Sequence, residues 1–287
     1  MIIIYLNHFN IVTSNTCYRS LCIPSGYNKL SKPPLNIITD EFNNIHVFIN
    51  ALQIIRVDEN ESTLTLKLQV EIAWNEPRVA LLPNVTKKEM EYIETEGYIL
   101  PKEFMNHLWL PDTYVYNVHK IEKQNFIHHF EYLWYWQENN KNWISYETEV
   151  EIVIFCKMIF DDYPIDEQVC YFLLGSPADL ASSHQWYMLQ NIHFNTSDQV
   201  ALLTYNIEID NLPENMQFQL NNVWNVTYQR TGFELRLKHN YERYLMIYYI
   251  PSGILVILSW VSMYLCFYIH LLWQMAIYFF GKNLLNT

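Results

Sequence analysis

The sequence has few glycines, few charged residues and fewer basic than acidic side chains. Only 6 of its 287 residues are glycine and 17% are charged, whereas 51% are hydrophobic and 16% are aromatic. Such a composition excludes a disordered or low-complexity chain, and the length allows one or two domains with a substantial core. The formal net charge of −12 argues against the basic face that nucleic acid requires, so we expect no nucleic-acid partner.

Cysteine is also scarce, and the number of cysteines is odd. The five are Cys17, Cys22, Cys156, Cys170 and Cys266, so at least one thiol is unpaired or pairs outside the chain, and the pairing of the first two stays open. Glycosylation sequons begin at four asparagines, which are Asn60, Asn84, Asn195 and Asn225. Modification at these asparagines would place the first 240 residues in an extracellular or lumenal compartment.

Alternation of hydrophobic and polar residues predicts strands over most of the chain. Residues 64–72 and 146–155 alternate with a period of two, and a polar turn at 58–62 joins the first of these runs to residues 45–49. These features predict an all-β, immunoglobulin-like antiparallel β-sandwich over residues 35–240, preceded by a lead-in at 1–34. A short helix or turn is expected at 97–106. Trp134 and Trp136, on one face of a strand, are expected in the core, with a carbohydrate platform as the alternative.

A long uncharged segment predicts a C-terminal transmembrane α-helix. No Asp, Glu, Lys or Arg occurs from Tyr244 to Phe280, and about 20 apolar residues suffice to cross a bilayer. We therefore expect the first transmembrane helix at 241–264, followed by an atypical hydrophobic tail at 265–287.

Cys156 and Cys170 bracket the sequence Tyr163-Pro164-Ile165-Asp166. A disulfide between them would close a short ring and stabilise the fold by about 3 kcal/mol in the chain-entropy model; the alternative is two unpaired buried cysteines. Together with Trp74-Asn-Glu-Pro-Arg78 and Trp109-Leu-Pro-Asp112, this segment resembles the Cys-loop pentameric ligand-gated ion channels, over residues 35 to about 263.

The entry into the membrane segment refines this resemblance. Ile250-Pro-Ser, followed by Ser259-Trp-Val-Ser262, is similar to the chloride-channel branch, which contains glycine-, GABA- and glutamate-gated subunits. The adjacent cysteine pair of acetylcholine-binding subunits is missing. The resemblance implies an extracellular ligand-binding domain at the plasma membrane, a postsynaptic location, and assembly with homologous subunits into a homo- or hetero-pentamer.

The resemblance also implies which residues couple ligand binding to gating. The disulfide ring, with Tyr163, Pro164 and Asp166, would lie at the membrane side of the sandwich and act with an arginine that precedes the membrane helix. His239 occupies the position of that arginine, and the turn at Asp58 and Glu59 would be the partner of the ring. An imidazole carries a charge only when it is protonated, so we expect weakened coupling.

The ligand of this family binds between subunits, in an aromatic box on one side. Tyr116 and Tyr228 match two box positions, whereas Pro177 stands where a third aromatic residue is expected. Packing inside the sandwich is an alternative role for both tyrosines, since the chain has 22 of them.

On the opposite side, the chloride-channel branch commonly binds the ligand carboxylate with arginine and serine. Glu71, Glu147 and Glu149 stand at those positions. Three carboxylates would repel an anionic group, so we expect this face to favour an amine or to bind no ligand. The alternative is a solvated strand face.

After Ser262 the resemblance ends, because bulky aromatic residues replace the small and polar residues that line a pore. We therefore expect a truncated or aberrant channel subunit that gates through a small neurotransmitter-like ligand but does not itself line a pore. The alternative is a membrane-tethered binding or modulatory module that conducts no ions. No cofactor, metal site or enzyme activity is expected, and a secreted hydrolase has no supporting nucleophile or metal motif.

Overall fold

A computed structural model describes residues 16–34, 44–122, 131–180, 187–194, 204–221 and 225–284. The described residues form two compact units. The first contains those of Met1–Ile159, Gln168–Leu202 and Ile207–Leu237, and the second contains those of Phe160–Glu167, Leu203–Asn206 and Lys238–Thr287.

Strands form most of the described chain. In chain order they are β1 (Thr16–Tyr18), β2 (Leu21–Ile23), β3 (Ile45–Asp58), β4 (Thr63–Asn75), β5 (Ala80–Leu81), β6 (Tyr98–Leu100), β7 (Tyr114–Val115), β8 (Val118–Glu122), β9 (Glu131–Glu138), β10 (Lys141–Phe155), β11 (Glu167–Leu180), β12 (Tyr187–Phe194), β13 (Tyr205–Asn211), β14 (Phe218–Asn221) and β15 (Val226–His239). The helices are α1 (Lys87–Thr95), α2 (Glu214–Gln217), α3 (Tyr241–Tyr244) and α4 (Ile250–Leu284), with a 3₁₀ turn at Lys102–Asn106.

The strands form two large sheets and one small sheet. The larger has seven strands in the order β12-β3-β4-β10-β9-β6, with β8 also paired to β10. A five-stranded sheet has the order β13-β15-β11-β7, with β14 paired to β15, and a three-stranded sheet has the order β1-β2-β5. The pairs β3–β4, β4–β10, β9–β10 and β14–β15 are antiparallel, whereas β12 pairs with β3 in parallel. This confirms the predicted antiparallel all-β class.

The β3–β4 hairpin shows why the alternation was informative. Leu64, Leu66 and Leu68 have no exposed surface, whereas the residues between them are half-buried. One side of the sheet therefore faces the core and the other carries polar side chains, as a period of two requires. In the smaller sheet, Phe172 and Phe233 are buried and stack with ring centroids 5.0 Å apart.

A backbone contact between β15 and β11 explains one glycine in the core. Gly232 has a φ of +152°, and a Cβ added to it would lie 1.8 Å from the carbonyl oxygen of Phe172. No side chain fits in that space, so only glycine allows the two strands to approach this closely.

A buried ionic network fixes the N-terminal segment to the first unit. The Arg78 guanidinium donates from Nε and Nη2 to the fully buried carboxylate of Glu76, at 2.6 Å for each bond. The same guanidinium lies over the ring of Tyr27, and it donates to the carbonyl oxygens of Asn28 and Ser31. Because Arg78 links the β4 region to residues 27–31, these early residues belong to the domain and are not a separate lead-in.

The second unit contains the long hydrophobic helix. Helix α3, a π-helical stretch at Leu245–Tyr249 and helix α4 follow one another without interruption. Residues Tyr241–Tyr278 form one helix that is long and apolar enough to cross a membrane, and an 18-residue window within it has a mean hydropathy of 2.0. Helix α4 does not end at residue 264, where the predicted membrane helix ends. It continues through the predicted tail to Leu284. The exposed residues of α4 fit a lipid environment.

Candidate functional site

Two carboxylates face each other on the polar side of the seven-stranded sheet. Glu71 on β4 pairs directly with Glu147 on β10 in the antiparallel register. Like charges in such a position destabilise a sheet unless other groups compensate them. Asn50 provides part of that compensation, because its amide donates to both carboxylates at 3.1 Å. Gln69 donates to Glu147 as well, at 2.8 Å.

A cavity of about 420 Å³ opens beside this carboxylate pair. Four of its lining residues are acidic and two are tryptophan; these are Glu71, Glu94, Glu96, Glu147, Trp134 and Trp136. None of the described residues that line it is basic. Glu147 is only 9% exposed, so its charge is largely removed from water. A cavity with this lining favours a cation and disfavours an anion.

The two tryptophans differ from the sequence prediction. Trp134 and Trp136 are half-buried on β9 and line the cavity, so their assignment to the core was wrong. The reason is the strand parity, because Leu133 and Tyr135 take the buried positions of β9 and leave the even-numbered residues on the polar side.

Glu149 does not contribute to the cavity. It forms a salt bridge with Lys67 across β10 and β4, and it does not line the cavity. The predicted trio of carboxylates is therefore a pair that faces the cavity and a third that is neutralised by a lysine.

The tyrosine predicted for the aromatic box lies in a cluster on the other sheet. Tyr116 packs edge-on against Tyr114, and its hydroxyl donates to the carbonyl oxygen of Ser176. The guanidinium of Arg230 lies over the Tyr116 ring, 5.2 Å from its centroid. Burial raises the pKa of Tyr116 and lowers that of Arg230. The chain's own cation thus already occupies one face of this ring.

The other two residues predicted for the aromatic box, Tyr228 and Pro177, lie on β15 and β11. Tyr228 is half-buried on β15, where its register partner is Gln219. Pro177 is exposed on β11, one residue after the buried Ser176. Tyr228 lies close enough to Tyr116 to act on it, because after burial the interaction with Tyr228 also raises the pKa of Tyr116.

Cys156 and Cys170 form a disulfide with an S–S distance of 1.94 Å. Inside the ring, Gln168 is buried and its side chain both accepts from the backbone N–H of Ile159 and donates to the carbonyl oxygen of Ile159. Cys17 and Cys22 form a second disulfide, across the β1–β2 hairpin. Cys266 on α4 is a free thiol.

His239 and Asp166 form a buried pair in the second unit. The imidazole Nδ1 lies 2.7 Å from the carboxylate Oδ1, and the two side chains are 0% and 3% exposed. Tyr163, joined to Pro164 by a cis peptide bond, packs edge-on against His239. The structure therefore brings together three of the residues predicted to couple binding to gating.

The predicted partner turn lies at the β3–β4 hairpin. Asp58 pairs with Arg56, and Glu59 is exposed. The pKa of Asp58 is lowered, first of all by the hydrogen bond from the backbone N–H of Glu61.

The glycosylation candidates are accessible where the structure describes them. Asn60, Asn84 and Asn225 are exposed, whereas Asn195 lies outside the described residues. Among the described residues, no group of three or more His, Cys, Asp or Glu side chains could hold a metal ion.

Sequence reasoning missed the residues that complete the cavity. Asn50 comes from β3, and Glu94 and Glu96 come from the end of α1 and the residue after it. Strand pairing brings Asn50 near Glu71, and the packing of α1 against β9 brings Glu94 and Glu96 there. One local signal was available, because Thr86 accepts a hydrogen bond from the backbone N–H of Glu89, and Thr-x-x-Glu is the sequence signature of a helix start.

Comparison with known proteins agrees with the resemblance found in the sequence. The model of the family described as the neurotransmitter-gated ion-channel ligand binding domain matches residues 16–250. The chain is 24% identical over 277 residues to the gamma-aminobutyric acid receptor subunit pi of Rattus norvegicus, covering 90% of this chain and 55% of the relative. It is 24% identical over 214 residues to subunit rho-2 of Bos taurus, covering 73% and 42%.

A relative that is named for a different ligand also matches. The chain is 26% identical over 172 residues to the acetylcholine receptor subunit alpha-type deg-3 of Caenorhabditis elegans, covering 59% of this chain and 28% of the relative. The chain spans about half the length of the gamma-aminobutyric acid receptor pi subunits that it matches.

Proposed function

The chain belongs to the family of neurotransmitter-gated ion-channel ligand-binding domains, and from this membership we propose that it is a subunit of a pentameric ligand-gated ion channel. Its β-sandwich is extracellular and its long helix anchors it in the plasma membrane. The similarity to gamma-aminobutyric acid receptor subunits supports the chloride-conducting branch. The observation that carries the proposal is the disulfide ring around Tyr-Pro-x-Asp, together with the sandwich and the membrane helix that follows it.

Assembly with homologous subunits is the first consequence to test. The full chain, purified in detergent, is expected to have the native mass of five subunits, either alone or with a co-expressed gamma-aminobutyric acid receptor subunit. A chain that stays monomeric in both preparations would contradict the proposal. If five subunits assemble and ligand addition produces no current, the chain acts instead as a membrane-tethered modulatory module. The aromatic side chains of α4 favour this second candidate.

The ligand class follows from the cavity between the carboxylate pair and the two tryptophans. A primary or quaternary ammonium group placed there would meet the charge of Glu147 and Glu71 and the rings of Trp134 and Trp136. A carboxylate would meet the same negative charges with no basic residue to offset them. We therefore propose an amine ligand, and the similarity to an acetylcholine receptor subunit is compatible with it.

The fluorescence of Trp134 and Trp136, which line the cavity, can measure ligand binding there. Addition of choline is expected to quench the intrinsic fluorescence of the assembled chain in a saturable way. Glu147→Gln should weaken this response at least about tenfold, as expected for loss of a buried charge partner. Glu151→Gln is the matched control, since Glu151 lies on the same strand and the same side but does not line the cavity. An equal loss in both variants would contradict this site.

A further inference from the structure

The polar residues of the membrane helix lie on one face of it. Helix α4 is exposed from Ile250 to Tyr278. Apart from tyrosine and tryptophan, the polar and thiol side chains of this stretch are those of Ser252, Ser259, Ser262, Cys266, His270 and Gln274. At 3.6 residues per turn, all of them lie within an arc of about 120° around the helix axis. Polar residues on one side of a membrane helix indicate the face that contacts another helix.

The smaller polar groups are satisfied within the helix, whereas the two largest are not. The Ser252 hydroxyl donates to two carbonyl oxygens of the preceding turn, at 2.7 and 3.0 Å, and that of Ser259 donates to one, at 2.7 Å. In the part of the chain that the structure describes, no hydrogen bond engages the imidazole of His270 or the amide of Gln274. These two side chains therefore need a partner from outside the helix.

Both of these side chains lie inside the uncharged segment. The first charged residue after them is Lys282, twelve residues beyond His270 and eight beyond Gln274. These separations correspond to about 18 and 12 Å along the axis of an α-helix. In the other direction, the nearest charged residue is Arg243. A polar group that faces hydrocarbon without a partner is strongly unfavourable, so a contact that satisfies His270 and Gln274 stabilises the membrane-embedded chain.

The spacing of four polar-face residues permits a close helix–helix contact. Ser262, Cys266, His270 and Gln274 are four residues apart, so they form one continuous polar ridge that turns by about 40° at each step. The side chains of Ser262 and Cys266 are small, and small residues at this spacing let two membrane helices approach closely. A helix that packs there also meets His270 and Gln274, one and two turns further along.

The polar ridge is complementary to a second copy of itself. An imidazole and a carboxamide together provide hydrogen-bond donors and acceptors, so two copies of the ridge can satisfy each other. No charged residue occurs from Tyr244 to Phe280, so a partner helix with an ionised group would find no opposite charge on this face. An uncharged helix with the same polar groups is the partner that fits.

We propose that α4 binds the α4 of a second copy of this chain through the polar ridge, with hydrogen bonds between the His270 and Gln274 side chains of the two copies. The contact is additional to any contact between sandwiches. It rests on the proposed function only in requiring that α4 lies in a membrane. In such a pair, the Cys266 thiols of the two copies lie on the faces that meet.

Crosslinking through Cys266 tests this contact, because the other four cysteines form disulfides. Membranes that contain the full chain are extracted with carbonate to establish that it is embedded, and are then oxidised with copper phenanthroline and oxygen. Electrophoresis without reductant should show a disulfide-linked product with the mass of two copies. Cys266→Ser combined with Tyr268→Cys moves the thiol by about 160° around the helix and should lower the yield at least about fivefold.

A double variant tests the hydrogen bonds themselves. His270→Leu combined with Gln274→Leu keeps the helix apolar, so the variant still inserts into the membrane. It should lower the yield of the linked pair about tenfold, as expected for the loss of two interhelical hydrogen bonds. Tyr264→Leu combined with Tyr268→Leu is the matched control on the opposite face, and it should leave the yield unchanged.

The outcomes separate this contact from the proposed function. Equal crosslinking from both faces, a yield that the His270→Leu and Gln274→Leu changes leave intact, or a linked product of a mass other than two copies would overturn the contact alone. A chain that carbonate removes from the membrane would overturn both the contact and the membrane anchor. Linked pairs in a chain that does not assemble into five subunits would support the contact and contradict the pentamer.

Discussion

At the scale of single residues, the proposed ligand site carries two like charges that destabilise the sheet. The direct pairing of Glu71 with Glu147 costs stability in an antiparallel sheet, and the amide of Asn50 offsets part of that cost. A sheet that needed only stability would carry opposite charges there, as it does at Lys67 and Glu149. The contrast between these two positions supports a role in ligand binding for the first.

The contact of Arg78 with the buried carboxylate of Glu76 is expected to stabilise the fold. Arg78→Met should lower the free energy of unfolding by about 3–5 kcal/mol, because it leaves the fully buried Glu76 carboxylate without its cation. Urea denaturation followed by tryptophan fluorescence measures this change. Arg56→Met, which removes a highly exposed guanidinium, is the control and should have no measurable effect. Equal midpoints for the two variants would show that the Arg78 network is not structural.

At the scale of elements, the sequence predicted the strands better than the helices. The β3–β4 hairpin and β10 were readable because one side of the sheet is buried and the other is not, which imposes a period of two. Helix α1 was missed because Ile93 is its only buried residue, so it has no apolar stripe. The cavity could not be predicted in full, since Asn50 and Glu147 meet through strand pairing and Glu94 reaches them only through the packing of α1 against β9.

The disulfide between Cys156 and Cys170 is expected to stabilise the fold. Replacing Cys156 and Cys170 together by serine should lower the free energy of unfolding by about 3 kcal/mol, because the unfolded chain gains the entropy of an open loop. Thermal unfolding monitored by circular dichroism measures the loss. Cys266→Ser is the control, since this thiol is exposed and free, and it should leave the transition unchanged. A double variant as stable as the wild type would contradict a structural role for the ring.

At the scale of the whole molecule, an acidic domain precedes a helix that carries no charged residue over most of its length. The net charge of −12 lies outside the segment from Tyr244 to Phe280, which has no charged residue at all. This separation fits a water-exposed domain followed by a lipid-embedded anchor. Composition changes abruptly at the boundary, so the sequence alone predicts that division.

Glycosylation tests the side of the membrane on which the sandwich lies. In a eukaryotic cell, digestion with an endoglycosidase should increase the electrophoretic mobility of the chain, because Asn60, Asn84 and Asn225 are exposed. Each Asn→Gln change at one of these positions should remove one step of the shift. A chain whose mobility the enzyme leaves unchanged would contradict an extracellular sandwich.

Ligands of matched length test whether the carboxylate-lined cavity selects an amine. Calorimetric titration of the assembled chain with n-butylamine, butyrate and 4-aminobutyrate compares the same carbon chain with an ammonium group, a carboxylate or both. We predict that n-butylamine binds, that butyrate does not, and that Glu71→Gln weakens the binding of n-butylamine. Binding of butyrate, or tighter binding of 4-aminobutyrate than of n-butylamine in the wild type, would show that the cavity does not select an amine.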